Sequence, residues 1–111
     1  MEITSTQFKH CDLVRVTGRI DSATAPRLAE ELNKIIDAGR FKIVIDLQGV
    51  DFISSAGLRV LISVQKTCKR YNRGEAILSS VPPTIYSALD LAGFVPLFQM
   101  KENVTSAVGE F

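Results

Sequence analysis

Two adjacent serines, Ser54 and Ser55, stand where an apolar strand pattern gives way to a helical one, and Ala56 and Gly57 follow them. A hydroxyl at a helix start has two kinds of use. It can cap the helix by accepting a hydrogen bond from a first-turn N–H, the commonest reason for serine at such a place. It can also carry a phosphate, because the first N–H groups lack partners within the helix and the dipole adds partial positive charge there. A phosphoserine at Ser55 would bring a charge of about −1.5 to −2 near neutral pH, enough to abolish docking against an apolar or acidic surface. Capping explains Ser54 well. It leaves unexplained the lead-in Asp51-Phe52-Ile53 and the small residues beyond, which suit close approach by another surface or tight packing of helix on sheet.

The chain offers little other chemistry. His10 is its sole histidine and falls in a presumed hairpin turn, so neither a metal site nor a Ser-His-acid triad has a second imidazole to draw on. Ile53 stands two positions before Ser55, where a nucleophile elbow needs glycine. No phosphate loop, dinucleotide glycine fingerprint or receiver-type acidic pocket is present. Cys11 and Cys68 lack metal or redox spacing and are expected as free thiols. No enzymatic activity, cofactor or metal is expected.

The elements that must position the serines follow from periodicity. Ile3 to Phe8 and Leu13 to Ile20 alternate and predict an opening hairpin around His10-Cys11-Asp12. Ser22 or Thr24 is available to cap a helix with Pro26 in its first turn, and Leu28, Leu32, Ile35 and Ile36 give that helix an apolar face until Gly39 ends it. Phe41 to Leu47 is apolar on both faces and predicts a central strand covered on both sides. A short connection then leads to a second helix from Ser55 to Asn72, with Cys68 a small core residue in register with Leu58, Leu61 and Ile62. Ala76 to Leu78 centres another strand. Pro82-Pro83 opens a helix through Ile85 and Leu89 to Gly93, Phe94 to Met100 reads as a final short strand, and Glu102 to Val108 as a last helix. The alternation predicts one α/β domain over residues 1–111: a mixed, mostly parallel sheet of four to five strands with about four helices.

Bulk properties agree with that size and narrow the partners. A chain of 111 residues, 46% hydrophobic and 23% charged, can bury one core. Thirteen basic against twelve acidic residues leave a charge of +1, which gives no long-range reason to expect nucleic acid or an anionic membrane. The densest basic cluster, Lys66, Lys69, Arg70 and Arg73, has helical spacing and reads first as a solvated helix face. No apolar run is long enough to span a bilayer, and Met-Glu-Ile-Thr-Ser-Thr has no secretory pattern, so a cytoplasmic location is expected.

The stretch from Val44 to Leu58 resembles the signature of STAS domains, and in particular of bacterial anti-sigma factor antagonists, whose motif reads approximately Asp-Ser-Ser/Ala-Gly-Leu after an apolar strand. Gly18-Arg19-Ile20-Asp21 is similar to the family's glycine-x-apolar-aspartate, Ile45-Asp46-Leu47 to its central strand, and Leu91-Ala92-Gly93-Phe94 to its leucine-x-glycine. The resemblance implies that Ser55 is the phosphorylated position, that Asp21 lies near it and helps the kinase complex form, and that Ala56, Gly57 and Leu58 begin the helix that docks on the partner. Asp21, Ser22, Ser54, Ser55, Ala56, Gly57, Leu58 and Arg59 then make up the expected docking surface.

Two departures stand out: Ser54 replaces the usual aspartate and is a possible second acceptor, and Arg59 replaces a residue that is small in many members. The implied partners are a serine-kinase anti-sigma factor, bound by the unphosphorylated form so that the sigma factor is released, and a metal-dependent serine phosphatase that resets the switch. The alternative is a STAS subunit of a transporter, bound constitutively, with Ser55 only a helix-start residue.

Overall fold

The run Ile43-Val44-Ile45, apolar on both faces, lies at the middle of the molecule. The computed structural model describes residues 1–71 and 74–111. In chain order its elements are β1 (Glu2–Gln7), β2 (Asp12–Ile20), α1 (Ala25–Asp37), β3 (Lys42–Ile53), α2 (Ser55–Arg70), β4 (Glu75–Ser79), α3 (Pro83–Leu91), a 3-10 turn (Val95–Leu97), β5 (Met100–Lys101) and α4 (Val104–Val108). The sheet order is β1-β2-β3-β4-β5, with β1 antiparallel to β2 and every other pair parallel. The expected mixed sheet with an antiparallel hairpin edge is therefore present, with five strands and four helices among the described residues. None of those helices is long and apolar enough to cross a membrane.

Alternation along the strands divides the core in two, as the two-period of a strand requires. Val14, Val16, Ile43, Ile45 and Leu78 join Leu28 and Leu32 of α1, Leu61 and Cys68 of α2, and Ile85 and Leu89 of α3 in the larger cluster. Leu13, Val44 and Ile77 face the other way and are covered by Ala107, Val104 and Val108 of α4. Cys11 and Cys68 are both free and buried, and burial pushes the Cys68 thiol up to about 11. Gly39 and Gly93 follow α1 and α3 with φ of +82° and +76°, the left-handed conformation that lets a chain leave a helix with its last carbonyls bonded.

Two elements differ from the sequence-based expectation. β3 continues to Ile53, six residues beyond Leu47, where a connection was expected. Register shifts between Arg15 and Thr17 and between Gly18 and Arg19 each insert an extra residue into β3. Its buried residues therefore recur at Leu47, Val50 and Ile53, a spacing of three that no longer reads as a strand. The second difference is Phe94 to Met100, of which only Met100 is in a strand. Pro96 supplies no N–H and has a fixed φ, and the segment turns as a 3-10 element instead. The expected end of α2 at Asn72, and Arg73 of the basic cluster, lie outside the described residues. Lys66, Lys69 and Arg70 are exposed on α2.

Gln65 ties these parts together. It is buried on α2, its Nε2 donates to the Leu97 carbonyl at 2.8 Å, and its Oε1 accepts from the Ala76 N–H at 2.7 Å. One side chain thus joins α2 to β4 and to the 3-10 turn. Gln65→Leu would leave both backbone groups without that partner. Urea denaturation of the variant should show a loss of about 3 kcal/mol, since each buried polar group left unpaired is costly.

Candidate functional site

β2 and β3 end side by side, and their last pair, Ile20 with Ile53, sets the site. One residue on, the Ser54 N–H donates to the Ile20 carbonyl at 2.8 Å. That bond brings the segment after β2, which holds Asp21 and Ser22, beside the start of α2. Parallel strands in an open α/β sheet present their carboxyl ends at such a place, where partners and ligands are generally met.

The two serines have different environments. Ser54 is the N-cap of α2, with extended backbone, and its Oγ accepts from the Gly57 N–H at 3.3 Å. It is half-buried, whereas Ser55, the first residue of the helix, is exposed. Gly57 points inward: a Cβ there would lie 2.6 Å from Ile20 Cγ2 and 2.8 Å from Ile53 Cγ1. Of the two readings of the small residues, close packing of helix on sheet accounts for Gly57. Ala56 and Leu58 are half-buried and pack on the core, while Ser22 and Arg59 are exposed.

Asp21 organises the loop into α1. Its Oδ1 accepts from the Ala23 N–H at 3.0 Å and the Thr24 N–H at 3.1 Å, and its carbonyl accepts from the Ala25 N–H at 2.8 Å. Neither Ser22 nor Thr24 caps the helix with its side chain, as the sequence had suggested. The Asp21 side chain orders the turn before the helix, and Thr24 Oγ1 donates back to the Arg19 carbonyl at 2.9 Å. Asp21 Oδ2 meets Arg19 Nε at 3.2 Å, and the Arg19 guanidinium lies 3.9 Å from the centre of the Phe52 ring. Arg19 and Phe52 were not among the expected site residues. They are cross-strand partners only because a bulge has shifted the register, and no local pattern announces that.

The electrostatics around Ser55 favour an anion. The first turn of α2 holds no acidic residue, and Arg59 follows Ser55 by one turn. Among the described residues no three His, Cys, Asp or Glu side chains come together to hold a metal ion. The site is a presented hydroxyl beside a rigid acidic loop.

The hydrogen bond from Thr24, then those from Ala23 and the Thr24 and Arg19 side chains, hold the Asp21 carboxyl below its ordinary value. A carboxyl depressed in the folded state stabilises it fully above the unfolded value, near pH 4, and loses that contribution as pH falls through the folded value. Asp21→Asn keeps an accepting oxygen but no charge. The stability difference between wild type and Asp21→Asn, measured by urea denaturation across pH 6 to 2, should therefore be constant above about pH 4 and shrink below it. A difference that stays constant to the lowest pH would contradict this account of Asp21.

Comparison with known proteins identifies the family and the fold. The family described as STAS domain matches residues 2–107. BtrV of Bordetella bronchiseptica, whose assigned name is that of an anti-sigma factor antagonist, is 31% identical over 111 residues, all of this chain and 95% of that protein. The crystal structure of an anti-sigma factor antagonist from Mycobacterium paratuberculosis superposes with a TM-score of 0.88 at 23% identity, over 98% of this chain and 92% of that one. The phosphorylated form of the Bacillus cell fate determinant SpoIIAA superposes with a TM-score of 0.79 at 16% identity, over 98% of each chain. The chain belongs to the STAS domain family.

Proposed function

We propose that this chain is an anti-sigma factor antagonist whose docking is switched off by phosphorylation of Ser55. The observation that carries the proposal is the division of roles at the start of α2. Ser54 uses its oxygen on the cap, and Ser55 leaves its hydroxyl exposed on the next residue. The name given to BtrV and the phosphorylated form of SpoIIAA on the same fold support this reading.

In the unphosphorylated state the exposed and half-buried residues around the β2 and β3 ends, Asp21, Ser22, Ala56, Leu58 and Arg59, meet a serine-kinase anti-sigma factor. That contact releases the sigma factor. Gly57 acts from beneath, by seating the helix on Ile20 and Ile53. The kinase brings ATP and magnesium. Its catalytic groups remove the Ser55 proton as the hydroxyl oxygen takes the γ-phosphoryl group, and ADP leaves; this chain supplies the acceptor and the docking surface. The new charge of about −1.5 to −2 then stands in the middle of that surface, where it repels acidic groups of the partner and would lose its hydration against apolar ones. A metal-dependent serine phosphatase hydrolyses the ester and restores the hydroxyl.

The two serines separate the outcomes in one assay. Incubated with the cognate kinase and labelled ATP, Ser55→Ala should take up no phosphate. Ser54→Ala should still take it up while losing about 1 kcal/mol of stability with its cap. Undiminished labelling of Ser55→Ala would overturn the assignment of the acceptor. A wild-type protein that is never phosphorylated and stays bound to a transporter component would favour the constitutive subunit instead.

A further inference from the structure

α1 and α2 leave an open groove of about 340 Å³ between them, and it runs from the turn that holds Ser22 along the side of α2 that faces α1. Its floor is apolar, formed by Ala25 and Ala29 of α1 and by Ala56, Val60 and Val64 of α2. Arg59 is the one charged residue in its lining, and it is exposed. No salt bridge is made by Arg59 among the described residues, whereas Arg19 nearby is already held by Asp21 and Phe52. Arg59 also stands four residues after Ser55 on the same helix. Side chains at that spacing meet, and an anion N-terminal to a cation is the favourable order. The same guanidinium can thus be approached from the groove and from Ser55.

We propose that the groove seats a segment of the anti-sigma factor that presents an apolar side chain beside a carboxylate, that Arg59 binds this carboxylate, and that a phosphate on Ser55 takes Arg59 away from it. Charge complementarity selects the occupant. An apolar floor takes an apolar side chain, and a single uncompensated cation at its rim takes one anionic group. A nucleic acid would need a track of cations, which the lining lacks. The competition is unequal for two reasons. The phosphate carries more charge than a carboxylate, and it is tethered to the helix that bears Arg59, so its effective concentration there is high. Phosphorylation then acts at a distance of one helical turn as well as at the hydroxyl itself. The inference rests on Ser55 being the acceptor, as proposed above.

Two measurements test it separately from that reading. In the first, phosphoserine is installed at position 55 during synthesis, so no kinase is needed, and the phosphorus NMR signal is titrated with pH. Removing Arg59 in an Arg59→Ala protein should raise the second ionisation of the phosphate by about 0.3 pH unit, and Arg59→Lys should restore most of the wild-type value. In the second, calorimetry with the purified anti-sigma factor should show unphosphorylated Arg59→Ala binding about tenfold more weakly than wild type, with Arg59→Lys closer to wild type. An unchanged urea midpoint for Arg59→Ala confirms that the fold is intact. Either an unchanged phosphate titration or an unchanged affinity overturns the proposal. A failure of Ser55 to accept phosphate shows in the kinase assay and in neither of these.

Discussion

Pairing of β2 with β3 all the way to Ile20 and Ile53 is the constraint from which the site follows. Between the pairs Asp12 with Ile43 and Ile20 with Ile53, the chain advances eight residues along β2 and ten along β3, and the two bulges take up the difference. Without them the strand ends would be out of step by the length of a dipeptide. With them, the Ser54 N–H reaches the Ile20 carbonyl and the loops after both strands leave from one level. α2 then settles directly onto the terminal pair, because Gly57 presents no Cβ to Ile20 or Ile53. The position of Ser55 is thus fixed by backbone pairing and by an absent side chain rather than by contacts of its own.

Much of this architecture was legible in the sequence, and the parts that were not share a cause. β2, α1 with its Pro26 and Gly39, and the body of α2 repeat apolar residues at the period of their element, and the central run of β3 is apolar on both faces as a covered strand is, so the pattern names the structure. The second half of β3 escapes because its bulges convert a period of two into intervals of three at Leu47, Val50 and Ile53. β5 escapes because Pro96 redirects a segment whose apolar content alone reads as a strand. In each case the decisive interaction is with a distant strand or with the backbone, and a local pattern carries no record of either.

The site divides in the same way. Residue types placed Ser54 and Ser55 among the candidates, and the resemblance to STAS domains added Asp21 and gave all three their expected roles, but type alone cannot separate two adjacent serines. Geometry does, by committing Ser54 Oγ to the Gly57 N–H. Ser22 and Thr24 are cap candidates by type, yet neither side chain caps α1, and the loop folds around the Asp21 carboxylate. The stack of Arg19 on Phe52 joins residues thirty-three apart in the chain, and only the shifted register brings them together. Leu91 shows the converse. It belongs to a recognisable motif, yet it is 90% exposed at the end of α3, where the core gives no reason for it.

These contacts bear on what a phosphate at Ser55 could change. Asp21 is held by two backbone donors of its own loop and by Arg19, so it stands as a fixed post rather than a mobile one. Ser54 has its acceptor oxygen committed to the Gly57 N–H, within the helix start rather than at its surface. Beneath them Ile20, Leu61 and Ile45 are wholly buried, and a close-packed core does not deform by small steps. A charge on the exposed first residue of α2 therefore acts first on surface side chains such as Arg59, above a core that stays packed. On the proposed reading the switch lies in the surface: the fold stays as it is, and the free energy of docking changes because a rigid, preorganised contact face acquires a charge its partner was shaped without.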